Sequence, residues 1–143
     1  MGDFDGALED INLALEFESD NYEFHLDKAS ILFDSENYEA ALAEVSDVLK
    51  HEPSAEAYRL RALIHLEKMD FEQAVNDFNS ALKNGLETEE IYLRRGEALF
   101  QLERNAEALD DFRRAKTLAE EGGNAQDAAR CEMLIQNLEQ SEN

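Results

Sequence analysis

At 143 residues, 43% of them hydrophobic and 33% charged, the chain has the size and composition of a folded domain rather than a disordered segment. Its 34 acidic against 13 basic residues give a formal charge of −21, which excludes nucleic acid and anionic membranes as partners, since both are held by clustered Lys and Arg. No apolar run approaches the ~20 residues of a membrane helix, and one cysteine allows no internal disulfide.

The chain opens on an amphipathic segment, GDFDGALEDINLAL from Gly2, whose apolar stripe is Phe4, Ala7, Leu8, Ile11, Ala14 and Leu15. The same unit returns as ENYEAALAEVSDVL from Glu36, MDFEQAVNDFNSAL from Met69 and ERNAEALDDFRRAK from Glu103. Its alanine recurs at Ala7, Ala41, Ala74 and Ala108, at intervals of 34, 33 and 34 residues. A period of ~34 residues marks stacked helical hairpins, each too small to bury its apolar face alone.

The first repeat, residues 1–21, supplies only the second helix of a hairpin. Met1 directly before the repeat boundary favours a fragment of a longer array; otherwise the exposed stripe is covered by a second copy or a partner helix. The second repeat, 22–54, ends its outer helix at His51-Glu52-Pro53, because proline cannot continue a helix. In the third, 55–88, Ser54 caps the first helix and Asp70 the next, with Gln73 as its capping-box partner, and Asn84-Gly85 closes it in the left-handed conformation. The fourth, 89–122, opens at Thr88-Glu89-Glu90 and ends at Gly122-Gly123. A last amphipathic helix in 123–143 carries Ala128, Cys131, Leu134, Ile135 and Leu138 on one face and covers the final hairpin. The count is eight helices in one structural domain.

These hairpins resemble the tetratricopeptide repeat, with its W-x2-L-G-x2-Y, A-x3-F and P positions. The third repeat carries Tyr58, Arg61, Ala62, His65, Ala74 and Phe78; the fourth carries Tyr92, Arg95, Gly96, Leu99, Ala108 and Phe112. The second is looser, with His25, Lys28, Ala29, Leu32, Ala41, Val45 and Pro53. The resemblance covers all but the last twenty or so residues and implies an all-α, right-handed superhelical array of antiparallel hairpins. Ala29, Ala62 and Gly96 are expected to face Ala41, Ala74 and Ala108 where helices cross closely, since larger side chains would overpack the crossing at ~1–3 kcal/mol.

Where the family pattern has leucine before glycine, this chain has Lys28, Arg61 and Arg95. An acid stands before the aromatic position of each second helix: Asp10, Glu44, Asp77 and Asp111. The register predicts a ladder of ion pairs, with Arg61 reaching Asp77 or Glu44 and Arg95 reaching Asp111 or Asp77. As exposed pairs they would be worth ~0–1 kcal/mol each.

No catalytic constellation is present in the sequence. His25, His51 and His65 never fall at the i, i+4 spacing of a helical metal pair, and His25 and His65 occupy packing positions of the repeat. Adjacent acids such as Asp110-Asp111 are expected on solvated faces, and Cys131 is a buried, inert thiol. No enzyme activity, metal or cofactor is expected, and the location is taken as cytoplasmic, although a mature exported chain would look the same.

The resemblance implies instead a scaffold that binds another protein, a peptide or helix lying in a concave groove lined by the first helix of each hairpin. Carried onto this chain, that groove shows Leu26, Ser30, Phe33, Arg59, Leu63, Leu93, Arg94, Glu97 and Phe100. Arg59 and Arg94 either grip a partner's carboxylate or pair with Glu56, Glu90 or Glu97. Relatives that hold acidic chaperone tails use lysine and asparagine from one first helix, asparagine from the next, then lysine and arginine from the third, at places that fall here at Leu26 and Ser30, Leu60, then Glu90 and Arg94. Only Arg94 matches, so the partner segment is expected to be basic or amphipathic. Acidic secretion chaperones and structural segments of longer arrays are the alternatives, and self-association through the partial first repeat stays open.

Overall fold

A computed structural model describes residues 3–141, and these form eight helices and no strand. They are α1 (Phe4–Phe17), α2 (Tyr22–Asp34), α3 (Tyr38–His51), α4 (Ala55–Glu67), α5 (Phe71–Lys83), α6 (Glu89–Gln101), α7 (Asn105–Glu121) and α8 (Ala125–Ser141). Three antiparallel hairpins, α2–α3, α4–α5 and α6–α7, stack in chain order, with α1 packed on α2 and α8 on α7. First helices of successive hairpins touch one another (α2 with α4, α4 with α6), whereas second helices meet far less, so the array curves with the first helices inside.

Local chemistry sets the ends. Ser54 Oγ accepts from Ala57 N–H at 3.2 Å and Thr88 Oγ1 from Ile91 N–H at 3.4 Å, holding the starts of α4 and α6. Asp70 precedes α5 but makes no side-chain cap, so the expected capping box is absent. Its backbone N–H instead closes the turn before it, donating to the His65 carbonyl at 2.8 Å. The same turn recurs as Asn37 to Leu32 and Arg104 to Leu99, both at 2.9 Å. It places Glu36, Met69 and Glu103 at φ of 61°, 61° and 59°, a left-handed conformation held by residues other than glycine. After α5 only Gly85 is left-handed, at φ 89°; Asn84 is not.

The small residues of the register are closely packed, and at Gly96 the nearest side chains are those of Phe112 and Asp111. Ala29, Ala41, Ala62, Ala74 and Ala108 are completely buried, and a Cβ on Gly96 would lie 2.7 Å from Phe112 Cε1. Glycine is required there for space, not for backbone freedom. The core runs as a strip in two clusters, one between α2 and α4 and one from α4 to α8, with Tyr58 packed against both.

The ion-pair ladder forms within hairpins. Arg61 grips Asp77 in two places at 2.7 and 2.8 Å, and Arg95 grips Asp111 at 2.7 and 2.6 Å. Lys28 lies 3.8 Å from Glu44. The expectation that such pairs are exposed is corrected: Asp77 and Asp111 are each only 5% exposed. Asp110 faces solvent while Asp111 beside it points inward, so the two are not a solvated pair. Arg61 and Arg95 also lie 6.0 and 5.5 Å from the ring centres of Tyr58 and Tyr92, which cover their outer faces.

His25 does more than fill an aromatic position. Its Nδ1 meets Glu44 Oε1 at 2.5 Å and its Nε2 meets the Ser19 carbonyl at 2.8 Å. Two acceptors satisfy both nitrogens only when both carry hydrogen, so the site favours the imidazolium. The Glu44 hydrogen bond chiefly, helped by Ser19, raises its pKa against the opposing effects of burial and Lys28.

Candidate protein-binding site

The inner surface carries one large cleft, about 670 Å³, at the end of the array nearest α8. Three elements build it. The turn from α4 to α5 contributes Leu66, Glu67, Met69 and Phe71; the last turns of α6 contribute Arg94, Glu97, Phe100 and Gln101; α8 contributes Leu134, Asn137, Leu138 and Ser141. Phe112 forms the floor. The walls are mainly apolar, and Met69 and Phe100 stand 71% and 49% exposed at its edge. Met69 projects there because the left-handed turn turns its side chain away from the core.

Of the residues placed in the groove by sequence, Arg94, Glu97 and Phe100 come together in this cleft. The others do not join them. Leu93 is 6% exposed and packs into the core, edging a smaller cleft between α6 and α8. Leu63 is half-buried against the same core, while Leu26 and Phe33 pack into the α2–α4 cluster, where Phe33 meets the Tyr38 ring at 5.8 Å. Ser30 is exposed and lines no cleft with them.

Both candidate arginines have partners within the chain. Arg59 donates to Glu56 at 2.5 Å and to Glu90 at 2.9 Å, linking α4 to α6. Arg94 donates to Glu97 at 3.1 Å, and Glu97 also takes Arg130 from α8. Arg59 and Arg130 thus tie α6 to its neighbours α4 and α8, whereas Arg94 is held within α6. Cys131, on the buried face of α8, is 1% exposed, and burial raises its thiol pKa further from the reactive range.

The wall given by α8 was missed in sequence, where this helix reads only as a cover. Leu134 and Leu138 lie on the stripe that docks α8, and Asn137 and Ser141 follow at helical spacing on the same side of the cleft. Leu134 is only partly buried, so a docking residue doubles as cleft wall.

Stacked hairpins curving around an inner surface with one apolar cleft define a helical-repeat interaction scaffold. Two tetratricopeptide-repeat models match the chain, over residues 1–64 and 61–124, and the chain belongs to the tetratricopeptide repeat family. It is 30% identical over 101 residues to the DnaJ homolog subfamily C member 7 homolog of Dictyostelium discoideum, covering 66% of this chain and 18% of that protein. It is 39% identical over 90 residues to NADPH oxidase activator 1 of Rattus norvegicus, covering 63% and 19%. The chain thus spans under a fifth of the curated relatives it matches.

Among solved structures, a tetratricopeptide repeat protein from Parabacteroides merdae superposes with TM-score 0.80 at 22% identity, over 98% of this chain and 55% of that one. YrrB, described as having an unusual peptide-binding site, gives 0.73 at 26% identity, over 77% and 57%. The TPR2B domain of yeast Sti1, solved in complex with an Hsp70 peptide, gives 0.74 at 23% identity, over 84% and 97%. The fold is the all-α tetratricopeptide solenoid that the repeat period implied. No helix among the described residues is long and apolar enough to cross a membrane.

Proposed function

We propose that the chain is a non-catalytic adaptor that holds a peptide or short helix of another protein on its inner surface. A large apolar side chain of that partner is anchored in the cleft between the α4–α5 turn, α6 and α8. The cleft itself carries this reading: about 670 Å³ of mainly apolar space, edged by exposed Met69 and Phe100, is the size and character of a site for one or two bulky side chains.

The partner segment is basic or amphipathic. Arg59, Arg94 and Arg130 are already engaged by Glu56, Glu90 and Glu97, whereas Glu23 and Asp27 on α2 are exposed and form no ion pair with a described residue. An acidic tail, by contrast, would find Leu26, Ser30, Leu60 and Glu90 at four of the five places, those where related domains put lysine or asparagine. The Hsp70 peptide of the Sti1 domain is therefore a poor guide to the ligand here.

Peptide display against the whole chain tests the proposal. Enriched sequences should carry an aromatic or long aliphatic residue flanked by Lys or Arg, and should bind about tenfold more weakly to Phe100→Asp. Their affinity should fall with added salt. Peptides that bind wild type and Phe100→Asp equally well would place recognition elsewhere.

A second reading, a repeat segment acting within a longer polypeptide, is favoured by one observation. The matched stretch is less than a fifth of each curated relative.

A further inference from the structure

The turn that closes a first helix occurs three times in one conformation, with Glu36, Met69 and Glu103 at φ of 61°, 61° and 59°. In two copies the left-handed residue is an exposed carboxylate, and in the third it is a thioether. Met69 is the copy that edges the inner-surface cleft, and it stands there 71% exposed. Its own N–H donates to the Leu66 carbonyl at 2.9 Å, and that of Asp70 donates to the His65 carbonyl at 2.8 Å. The backbone is thus pinned on both sides and holds the side chain at the mouth. The other sulfur atoms among the described residues are placed differently. Cys131 is 1% exposed, and Met133, 64% exposed on α8, is not part of the cleft lining. Glu36 and Glu103 hold the same turn, so the fold itself does not call for a thioether at Met69.

We propose that Met69 is a site of reversible oxidation, at which a peroxide turns the cleft edge from apolar to polar and closes the cleft to apolar anchors. This rests on the reading of the cleft as the binding site. The thioether sulfur attacks one oxygen of hydrogen peroxide, so that an S–O bond forms as the O–O bond breaks. Sulfur gives up two electrons, and the departing hydroxide takes the proton of the transferred oxygen and leaves as water. The product, methionine sulfoxide, sets a hydrogen-bond acceptor at the edge of a space walled by Leu66, Phe71, Phe100 and Phe112. An apolar side chain can then enter only by stripping water from that oxygen, which costs free energy when no donor replaces the water. A sulfoxide reductase supplied with a dithiol reverses the step, giving thioether, disulfide and water, and reopens the cleft.

Nile red, an uncharged apolar dye, probes the cleft without a partner being known. Fluorescence titration into the whole chain should show saturable binding that Phe100→Asp weakens about tenfold. After treatment with hydrogen peroxide, with the sulfoxide at Met69 counted by peptide mass spectrometry, wild type should bind about fivefold more weakly or worse. A pair of methionine sulfoxide reductases, one for each sulfur configuration, should restore the affinity. Peroxide should not change the affinity of Met69→Leu, and Met133→Leu should respond to it as wild type does. Met69→Gln, polar and unbranched, should bind weakly with no oxidant present. Three results overturn the proposal: Met69 staying reduced while Met133 is fully oxidised, equal affinity before and after oxidation of Met69, or an equal loss in Met69→Leu. Dye that does not bind, or that binds Phe100→Asp as well as wild type, is a different failure: it removes the cleft as an apolar site, and the proposal with it.

Discussion

Replacing Arg95 by methionine keeps the length and apolar stem of the side chain but removes its charge. Asp111 is then left 5% exposed without its two hydrogen bonds at 2.7 and 2.6 Å. Breaking a fully buried pair from one side costs ~3–5 kcal/mol, and the 19% exposure of the Arg95 side chain lets water recover part of that, so we expect about 2–4 kcal/mol. For a chain of this size that corresponds to a fall in Tm of about 6–15 °C. Urea unfolding followed by circular dichroism on Arg95→Met, Asp111→Leu and the double variant gives the coupling. The double variant should regain most of the loss, since an apolar pair of similar volume is often as stable as the ions it replaces. Acid provides a second check. Burial raises the Asp111 pKa and Arg95 opposes that rise, so removing Arg95 lifts it further. A folded pKa above the unfolded value means that the native state binds the extra proton as pH falls between the two. The deficit of Arg95→Met relative to wild type should therefore shrink on acidification. Single variants costing under about 1 kcal/mol, with no coupling, would show the pair to be no different from an exposed one.

His25 gives the opposite dependence on pH. Its raised folded pKa means that its contribution is complete below the unfolded value, about 6.5, and is lost as pH rises through the folded value. Unfolding midpoints of wild type should decline across that window, and those of His25→Tyr, the residue of the other two repeats, should not; parallel profiles would remove the imidazolium from the account. Gly96→Ala should destabilise by about 1–3 kcal/mol, although alanine favours a helix, because the new Cβ would stand 2.7 and 2.9 Å from the Phe112 ring. Thermal melts decide this, and a stabilised Gly96→Ala would mean that the ring moves freely.

The fold was legible because its information is repeated. Ala7, Ala41, Ala74 and Ala108 fix a period, and a period fixes the architecture without any knowledge of contacts. The ladder was legible as a register, since Arg61 and Asp77 lie at corresponding places in every copy. Its burial was not, because burial depends on how Tyr58 and Tyr92 fold over the guanidinium groups, and no spacing records that. The capping box at Asp70 failed for a related reason: the preceding left-handed turn uses the Asp70 backbone to close α4. The cleft was legible only on its α6 side. Arg94, Glu97 and Phe100 repeat the positions of an inner helix, whereas Leu134, Asn137 and Ser141 belong to the one element with no earlier copy to compare. His25 misled because its register is that of a packing residue, while Glu44 and Ser19 are brought to it only by the stacked helices.

Tyr58 lies against both core clusters, and α4 carries residues of both, Ala62 in one and Ala57, Leu60 and Ile64 in the other. The two halves of the buried strip are thus joined through a single helix. A change that shrinks the Tyr58 ring should be felt on both sides of it and lower the cooperativity with which the two ends of the array unfold as one unit.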